Sequence, residues 1–251
     1  MPTFIIEGTV LAKRPFGESD AMVDVLTISR GLETFVAKGA MKSRRRLVGG
    51  LEPFTRALFS VYQSRPGKLP VVQDLKVLVS RFSLYRDLEG FTRLTAVSSF
   101  LAQSLPPGVP EYEVYDLFEA LLNACEGGRI ESLVLSFYLR AFGALGWRMD
   151  VGSCAVCKEI PKRDGTYELN FSDGKLLCPN CLSSVPPVRS AANLLVRISC
   201  AHAKALAALV LPPRLKAGIA VDPSAEKFLR EILDKYLLWL TGGDLTRQPS
   251  A

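Results

Sequence analysis

Two CxxC pairs, Cys154-Ala155-Val156-Cys157 and Cys178-Pro179-Asn180-Cys181, stand with 20 residues between Cys157 and Cys178. That spacing dictates local architecture. Each pair makes a tight knuckle offering two thiolates, and the two knuckles must meet around one ion across a short hairpin. The hairpin strands are expected at residues 166–171 and 175–177, around Gly165 and Ser172-Asp173-Gly174. Four sulfurs complete a tetrahedral shell and leave no position for water, so the expected cofactor is one Zn2+ in a structural role. Two disulfides suit a reducing compartment poorly, and a redox CxxC needs only one pair. The remaining cysteines, Cys125 and Cys200, lie among Leu, Ala and Ile and read as core. His202 is the single histidine and reads as an ordinary helix residue rather than a ligand.

Upstream of this module the period of the apolar residues is close to two. Runs rich in β-branched and aromatic residues occupy 4–11, 21–28, 33–37, 54–62 and 70–79, separated by Pro15-Phe16-Gly17-Glu18-Ser19, Ser29-Arg30-Gly31 and Ser64-Arg65-Pro66-Gly67-Lys68. Five short strands with such turns predict a small barrel or sandwich. Phe35, Phe54 and Phe59 sit inside these strands as core, whereas Phe16 in a turn is expected to be exposed. Asp20 and Asp24 alternate along a strand and read as an exposed face.

From residue 81 the period lengthens to about 3.6. Leu84, Leu88, Phe91, Leu94, Val97 and Leu101 mark one helix, residues 111–125 a second and 129–146 a third. Beyond the cysteines, 189–211 and 224–240 are expected to be helical, with Asp222 and Pro223 starting the last helix and Gly242 ending it. The fold class is therefore α+β and multidomain: a barrel at 1–80, the first part of a helical domain at 81–149, an inserted four-cysteine zinc module at 150–186, and the second helical part at 187–251 with a flexible C-terminal tail. A length of 251 residues with 48% hydrophobic and 22% charged residues is that of a folded protein of two or three units, not a disordered one. No apolar stretch reaches the ~18 residues needed to span a bilayer, and the N-terminal residues lack a basic region followed by an apolar one, so a cytoplasmic location is expected.

Charge is distributed unevenly: residues 1–80 carry +5, 81–150 carry −3 and 151–251 carry +4. The segment 38–50 contains Lys38, Lys42, Arg44, Arg45 and Arg46 and no acidic residue, with glycines at Gly39, Gly49 and Gly50. Like charges at that density repel one another and are stabilised by a phosphate backbone, whose neutralisation releases counterions. The chemistry of a motor or hydrolase is missing. The sequence has no GxxxxGK[ST] loop, no HExxH and a single His. A non-enzymatic binding protein is expected.

These residues resemble the RecO family of bacterial recombinational repair. Thr9-Val10-Leu11, Arg14-Pro15-Phe16-Gly17-Glu18-Ser19-Asp20, Leu26-Thr27, Gly31, Val36-Ala37-Lys38-Gly39-Ala40, Ser43-Arg44 and Leu51-Glu52-Pro53-Phe54 are similar to that family's opening pattern. The order barrel, helices, CxxC pairs, helix is similar as well, so the resemblance covers essentially the whole chain. Some family members lack the cysteines, which suits a structural metal. The resemblance implies that the barrel is an OB-fold and that the zinc module lies within the helical part. It further implies single- and double-stranded DNA as partners, annealing of complementary strands, and action with RecR to load RecA onto strands coated by SSB, whose C-terminal tail would be a partner. No nucleotide and no membrane are involved, and the location is cytoplasmic and nucleoid-associated.

On the DNA-binding reading, the candidate phosphate contacts are Lys13, Arg14, Lys38, Lys42, Arg44, Arg45, Arg46 and Arg56. A rival reading is a protein adaptor that docks RecR-like and SSB-like partners with incidental DNA contact. A third is a zinc-ribbon RNA-binding factor recognising 2′-hydroxyls.

Overall fold

The computed structural model of the chain describes residues 3–42, 47, 49–65, 67–125, 130–147, 149–162, 165–170, 174–182, 195–210 and 223–240. Contacts divide it into two compact units, Met1–Gly127 and Gly128–Ala251.

In the first unit β1 (Thr3–Phe16), β2 (Asp20–Thr27), β3 (Gly31–Ala37), β4 (Arg56–Tyr62) and β5 (Val71–Val79) close into a barrel in the order β1-β2-β3-β5-β4. All neighbours are antiparallel except β3 and β5, which join in parallel at Val36 and Val71. β1 serves two neighbours, pairing with β4 through residues 3–9 and with β2 through residues 8–16. A Cβ at Gly8, where the two pairings overlap, would lie 2.6 Å from Val25 Cγ1 and 2.7 Å from the Leu26 carbonyl oxygen, so only glycine fits. Alternate residues fill the interior, and Phe35 and Phe59 meet there with ring centroids 5.7 Å apart.

Two expectations for this unit need correction. β1 does not end at residue 11; it continues through Arg14-Pro15-Phe16 after a register shift between Val10 and Ala12. At that shift Val10 N donates to Thr55 O at 3.0 Å and Phe54 N donates to Val10 O at 2.7 Å. Phe54 is thereby held at φ 67° before the strand, and β4 begins only at Arg56. The bulge takes up the extra residue, as bulges do where a strand must bend.

The helix expected from residue 81 is divided. A 3₁₀ turn at Phe82–Arg86 precedes α1 (Leu88–Ser104), because Asp87 takes an extended conformation and its carboxylate accepts from Glu89 N at 3.1 Å. The 3.6-residue period runs through this capped break and does not reveal it. α2 (Tyr112–Cys125) follows a Pro-Gly-Pro connection that returns to the barrel, where Gly108 N donates to Leu32 O at 3.0 Å. Gly31 has φ +63°, and a Cβ there would stand 1.8 Å from the Val109 carbonyl oxygen.

In the second unit α3 (Ile130–Ala144) is apolar on nearly all sides and packs against two later helices. β6 (Asp150–Cys154), β7 (Thr166–Asn170), β8 (Lys175–Leu177), the short α4 (Pro179–Leu182) and β9 (Leu195–Ser199) follow, with sheet order β6-β8-β7-β9. α5 (Cys200–Val210) and α6 (Pro223–Leu240) complete the unit. The helix expected over 189–211 is corrected here: Leu195–Ser199 is a strand pairing antiparallel with β7, and helix starts at Cys200. Val196-Arg197-Ile198 alternates as an edge-paired strand requires, and Arg197 reaches Glu168 of β7 at 3.3 Å. Ser136 Oγ donates to Leu209 O at 2.8 Å, and Arg230 pairs with Glu131. His202 stacks on Phe228 at 3.9 Å, a contact between α5 and α6. Residues 189–194, Asp222, Gly242 and the C-terminal tail lie outside the described residues. Among the described residues no helix is long and apolar enough to cross a membrane.

Candidate metal centre and nucleic-acid interface

The cysteines converge as their spacing predicts. The four sulfurs of Cys154, Cys157, Cys178 and Cys181 lie within 4.8 Å of one another, and Cys157 Sγ is 3.7 Å from Cys178 Sγ. A regular tetrahedron with metal–sulfur bonds of about 2.3 Å has sulfurs about 3.8 Å apart, so the cluster has the dimensions of a tetrathiolate site. β6 delivers Cys154, and Lys158, at φ 62°, turns the first knuckle so that Lys158 N donates to Cys154 O at 2.9 Å. The second knuckle is the first turn of α4, where Cys181 N donates to Cys178 O at 3.1 Å. β6 and β8 hold the knuckles side by side through Ala155 N and Leu176 O at 2.8 Å.

The electrostatics of the cluster ask for a cation. Burial pushes the Cys154 thiol up, but backbone N–H groups of Cys157, Cys178 and Val156 outweigh it and bring the thiol down to about 6. Cys181 is pushed up to about 12 by its hydrogen bond with Cys178, then by burial and its other sulfur neighbours. One thiolate therefore forms readily and discourages the next. Four can ionise together only around a positive ion, and this donor set fits a metal ion such as Zn2+. Cys125 and Cys200 are buried and apart from the cluster, and burial alone pushes the Cys125 thiol up to about 12.

The basic candidates separate into two groups. Lys13 pairs with Glu52 at 2.8 Å, and Arg14 forks onto both oxygens of Asp24 at 2.9 and 2.7 Å. Asp24 is buried rather than exposed and also accepts from Thr34 Oγ1 at 2.8 Å, so its strand position carries one end of an ion pair whose other end, Arg14, is exposed, and not the solvated carboxylate expected for it. Arg56 pairs with Glu7 and reaches Glu119 at 3.5 Å. Burial works to lower the Arg56 pKa, but the hydrogen bond to Glu7 and the surrounding negative groups outweigh it and raise it. Each of these three cations has a carboxylate partner.

Lys38 and Lys42 are exposed at one end of the barrel. Gly39 N donates to Asp20 Oδ1 at 2.8 Å and Met41 N to Ser19 O at 2.9 Å, tying the start of the basic segment to the β1–β2 turn. Val36 N donates to Pro70 O at 2.9 Å, bringing the β4–β5 connection to the same end. That connection carries exposed Arg65 and Lys68, which the local sequence presents only as turn residues. Their relation to Lys38 and Lys42 depends on barrel closure. Exposed Phe16 borders the same group, as expected. Arg44, Arg45 and Arg46 lie outside the described residues, between Lys42 and the buried Leu47.

Comparison with known proteins agrees with this architecture. Residues 1–81 match the family described as recombination protein O N terminal, and residues 85–249 that described as recombination protein O C terminal. A protein of Anaeromyxobacter sp. (strain K) named DNA repair protein RecO is 31% identical over 92% of this chain and 89% of its own length. The protein of that name from Bacillus pumilus (strain SAFR-032) is 27% identical over 92% of this chain and 86% of its own. With both halves matched and relatives aligned across nearly its full length, the chain belongs to the RecO family.

Proposed function

We propose that this protein is a DNA repair and recombination mediator that binds single- and double-stranded DNA and anneals complementary strands without nucleotide. The observation that carries the reading is the convergence of exposed Lys38, Lys42, Arg65 and Lys68 on one end of the closed barrel. The barrel's strand order, β1-β2-β3-β5-β4, supports an OB-fold, in which loops at one end track a nucleic-acid strand. Family membership and the name of the relatives support a role in DNA repair.

The mechanism is electrostatic. Two complementary strands repel each other through their phosphates, and a basic surface that neutralises both lowers the barrier to their approach. Base pairing then supplies the sequence information. No group in this scheme makes or breaks a covalent bond, and the protein acts as a binding protein rather than an enzyme. Zn2+, when held by Cys154, Cys157, Cys178 and Cys181, closes a four-thiolate shell and fixes the second unit's small sheet. The partners on this reading are RecR, the C-terminal tail of SSB and, through them, RecA, in the cytoplasm.

The test is the affinity of the metal-loaded chain for a labelled single-stranded oligonucleotide across a salt series. Binding should weaken linearly in log–log form as salt rises. Salt-independent or absent DNA binding by the folded chain would instead favour the adaptor.

A further inference from the structure

The outer face of β1, β2 and β3 is covered at one end only. Cross-strand pairing sets its rows. Thr9, Leu26 and Leu32 are partners across the three strands, and all are buried. Glu119 of α2 accepts from Thr9, and the α1–α2 connection reaches Leu32 through Gly108. Toward the β1–β2 turn this cover ends. There Arg14, Met22, Val36 and Val71 are successive partners across β1, β2, β3 and β5. Their chain neighbours Val23, Phe35, Ala37 and Val72 belong to the barrel core, so alternation puts this row outside.

Two flat groups edge the open half. The Phe16 residue is 48% exposed and the Arg14 side chain 57%. They stand on one face of β1 two residues apart, about 6.8 Å along the strand. Arg14 is anchored at one nitrogen: Nη2 donates to both oxygens of the buried Asp24, which β3 holds through Thr34 Oγ1. A guanidinium held this way loses little freedom on taking a flat partner. Half-buried Met22, the cross-strand partner of Arg14, continues the surface with apolar atoms.

Charge indicates what this face takes. Around the turn Arg14, Lys38 and Lys42 are balanced by Glu18, Asp20 and Asp24. Asp24 is engaged by Arg14, and Asp20 Oδ1 accepts from Gly39 N at 2.8 Å. A balanced face attracts phosphates weakly, whereas stacking needs no net charge. Positive charge enters from the other side of the row. Val36 N donates to Pro70 O there, and the β4–β5 connection carries exposed Arg65 and Lys68 with no acidic residue from Gln63 to Pro70. A ligand with flat apolar faces beside a chain of anions is a nucleic-acid strand, and its bases have free faces only when the strand is single.

We infer that Phe16 and Arg14 are two base-stacking positions for single-stranded DNA lying on the open half of this face. The inference rests on the DNA-binding reading and deepens it: cations of the connections take phosphates, and bases cover the ring and the guanidinium. Arg14 acts through its plane rather than its charge, which Asp24 already answers. Stacking is sequence-tolerant and releases no counterions, so it distinguishes single strands from duplex without reading sequence.

The test uses the full metal-loaded chain with a labelled single strand, the same strand carrying abasic sites, and a duplex. Phe16→Ala and Arg14→Lys should each weaken binding of the base-bearing strand roughly 5- to 150-fold, the range set by one lost stack. Arg14→Lys keeps the charge and removes the plane, so a phosphate contact would survive it and a stack would not. Salt slope and affinity for duplex and abasic strand should stay those of the parent, and Phe16→Trp should bind as the parent does. Undiminished single-strand affinity in either weakening variant would overturn the inference while leaving DNA binding intact. Equal loss on all three substrates, in variants that unfold at the parent's temperature, would also overturn it. Failure of the parent chain to bind any of the three would remove the DNA-binding reading and this inference together.

Discussion

Arg81 Nη2 donates to Glu119 Oε2 at 2.9 Å, joining the residue before the 3₁₀ turn to the middle of α2 in a site where Arg81 is only 1% exposed. Arg81 also donates to Phe54 O at 3.0 Å and to Asn123 Oδ1 at 2.7 Å, while Thr9 Oγ1 donates to Glu119 Oε1 at 2.6 Å. One buried ion pair thus binds β1, the strained Phe54 turn and α2. Removing one member leaves the other charge buried with incomplete compensation. Arg81→Met should cost about 3–5 kcal/mol of stability, read from the midpoint of urea unfolding. A loss under about 1 kcal/mol would show that the pair does not fasten these elements.

Gly31 and Gly39 share a left-handed backbone but not surroundings. Both have φ near +65°, but a Cβ at Gly31 would meet the Val109 carbonyl and one at Gly39 would meet nothing within 4 Å. Gly39→Ala should cost about 1–2 kcal/mol for the conformation alone. Gly31→Ala should cost clearly more, because the connection between α1 and α2 must also move. Thermal unfolding of the two variants measures the difference.

Metal removal should change thiol reactivity selectively. With the ion held, Cys157 should resist a thiol reagent although its residue is exposed. After chelation Cys157 should react while Cys125, whose burial pushes its thiol up to about 12, should remain protected in the folded chain. Because metal binding requires thiolates, affinity should fall as pH falls and protons compete for the sulfurs. Titration with a zinc-sensitive dye at several pH values checks the direction.

Arg65 and Lys68 provide a test of the barrel end that local sequence reading misses. If each neutralises one phosphate of a single strand, Arg65→Gln with Lys68→Gln should reduce the magnitude of the salt slope by about 1.4. Neutralising Lys13 should leave the slope nearly unchanged, because that cation is engaged by Glu52.

Much of this architecture was legible in the sequence where a local rule sets it. Strand alternation marked all five barrel strands, and CxxC spacing marked the cluster whose sulfurs the fold brings within 4.8 Å. What escaped depends on partners distant in sequence. Asp24 looks like a surface carboxylate until β1 and β3 bring Arg14 and Thr34 to it. Leu195–Ser199 looks helical beside α5 until β7 supplies an edge to pair with. Phe54 leaves its strand because a bulge at Val10 needs its backbone.

The central claim is that basic residues bring complementary strands together directly. It is tested by the annealing rate of two complementary fluorescent oligonucleotides, without nucleotide, across a salt series. The parent chain and the variant Arg44→Gln, Arg45→Gln, Arg46→Gln would be compared. The account predicts rapid annealing by the parent that weakens steeply with salt, and slower annealing with a flatter slope in the variant. A folded, metal-loaded parent that fails to accelerate annealing, or a variant that anneals as the parent does, would contradict it.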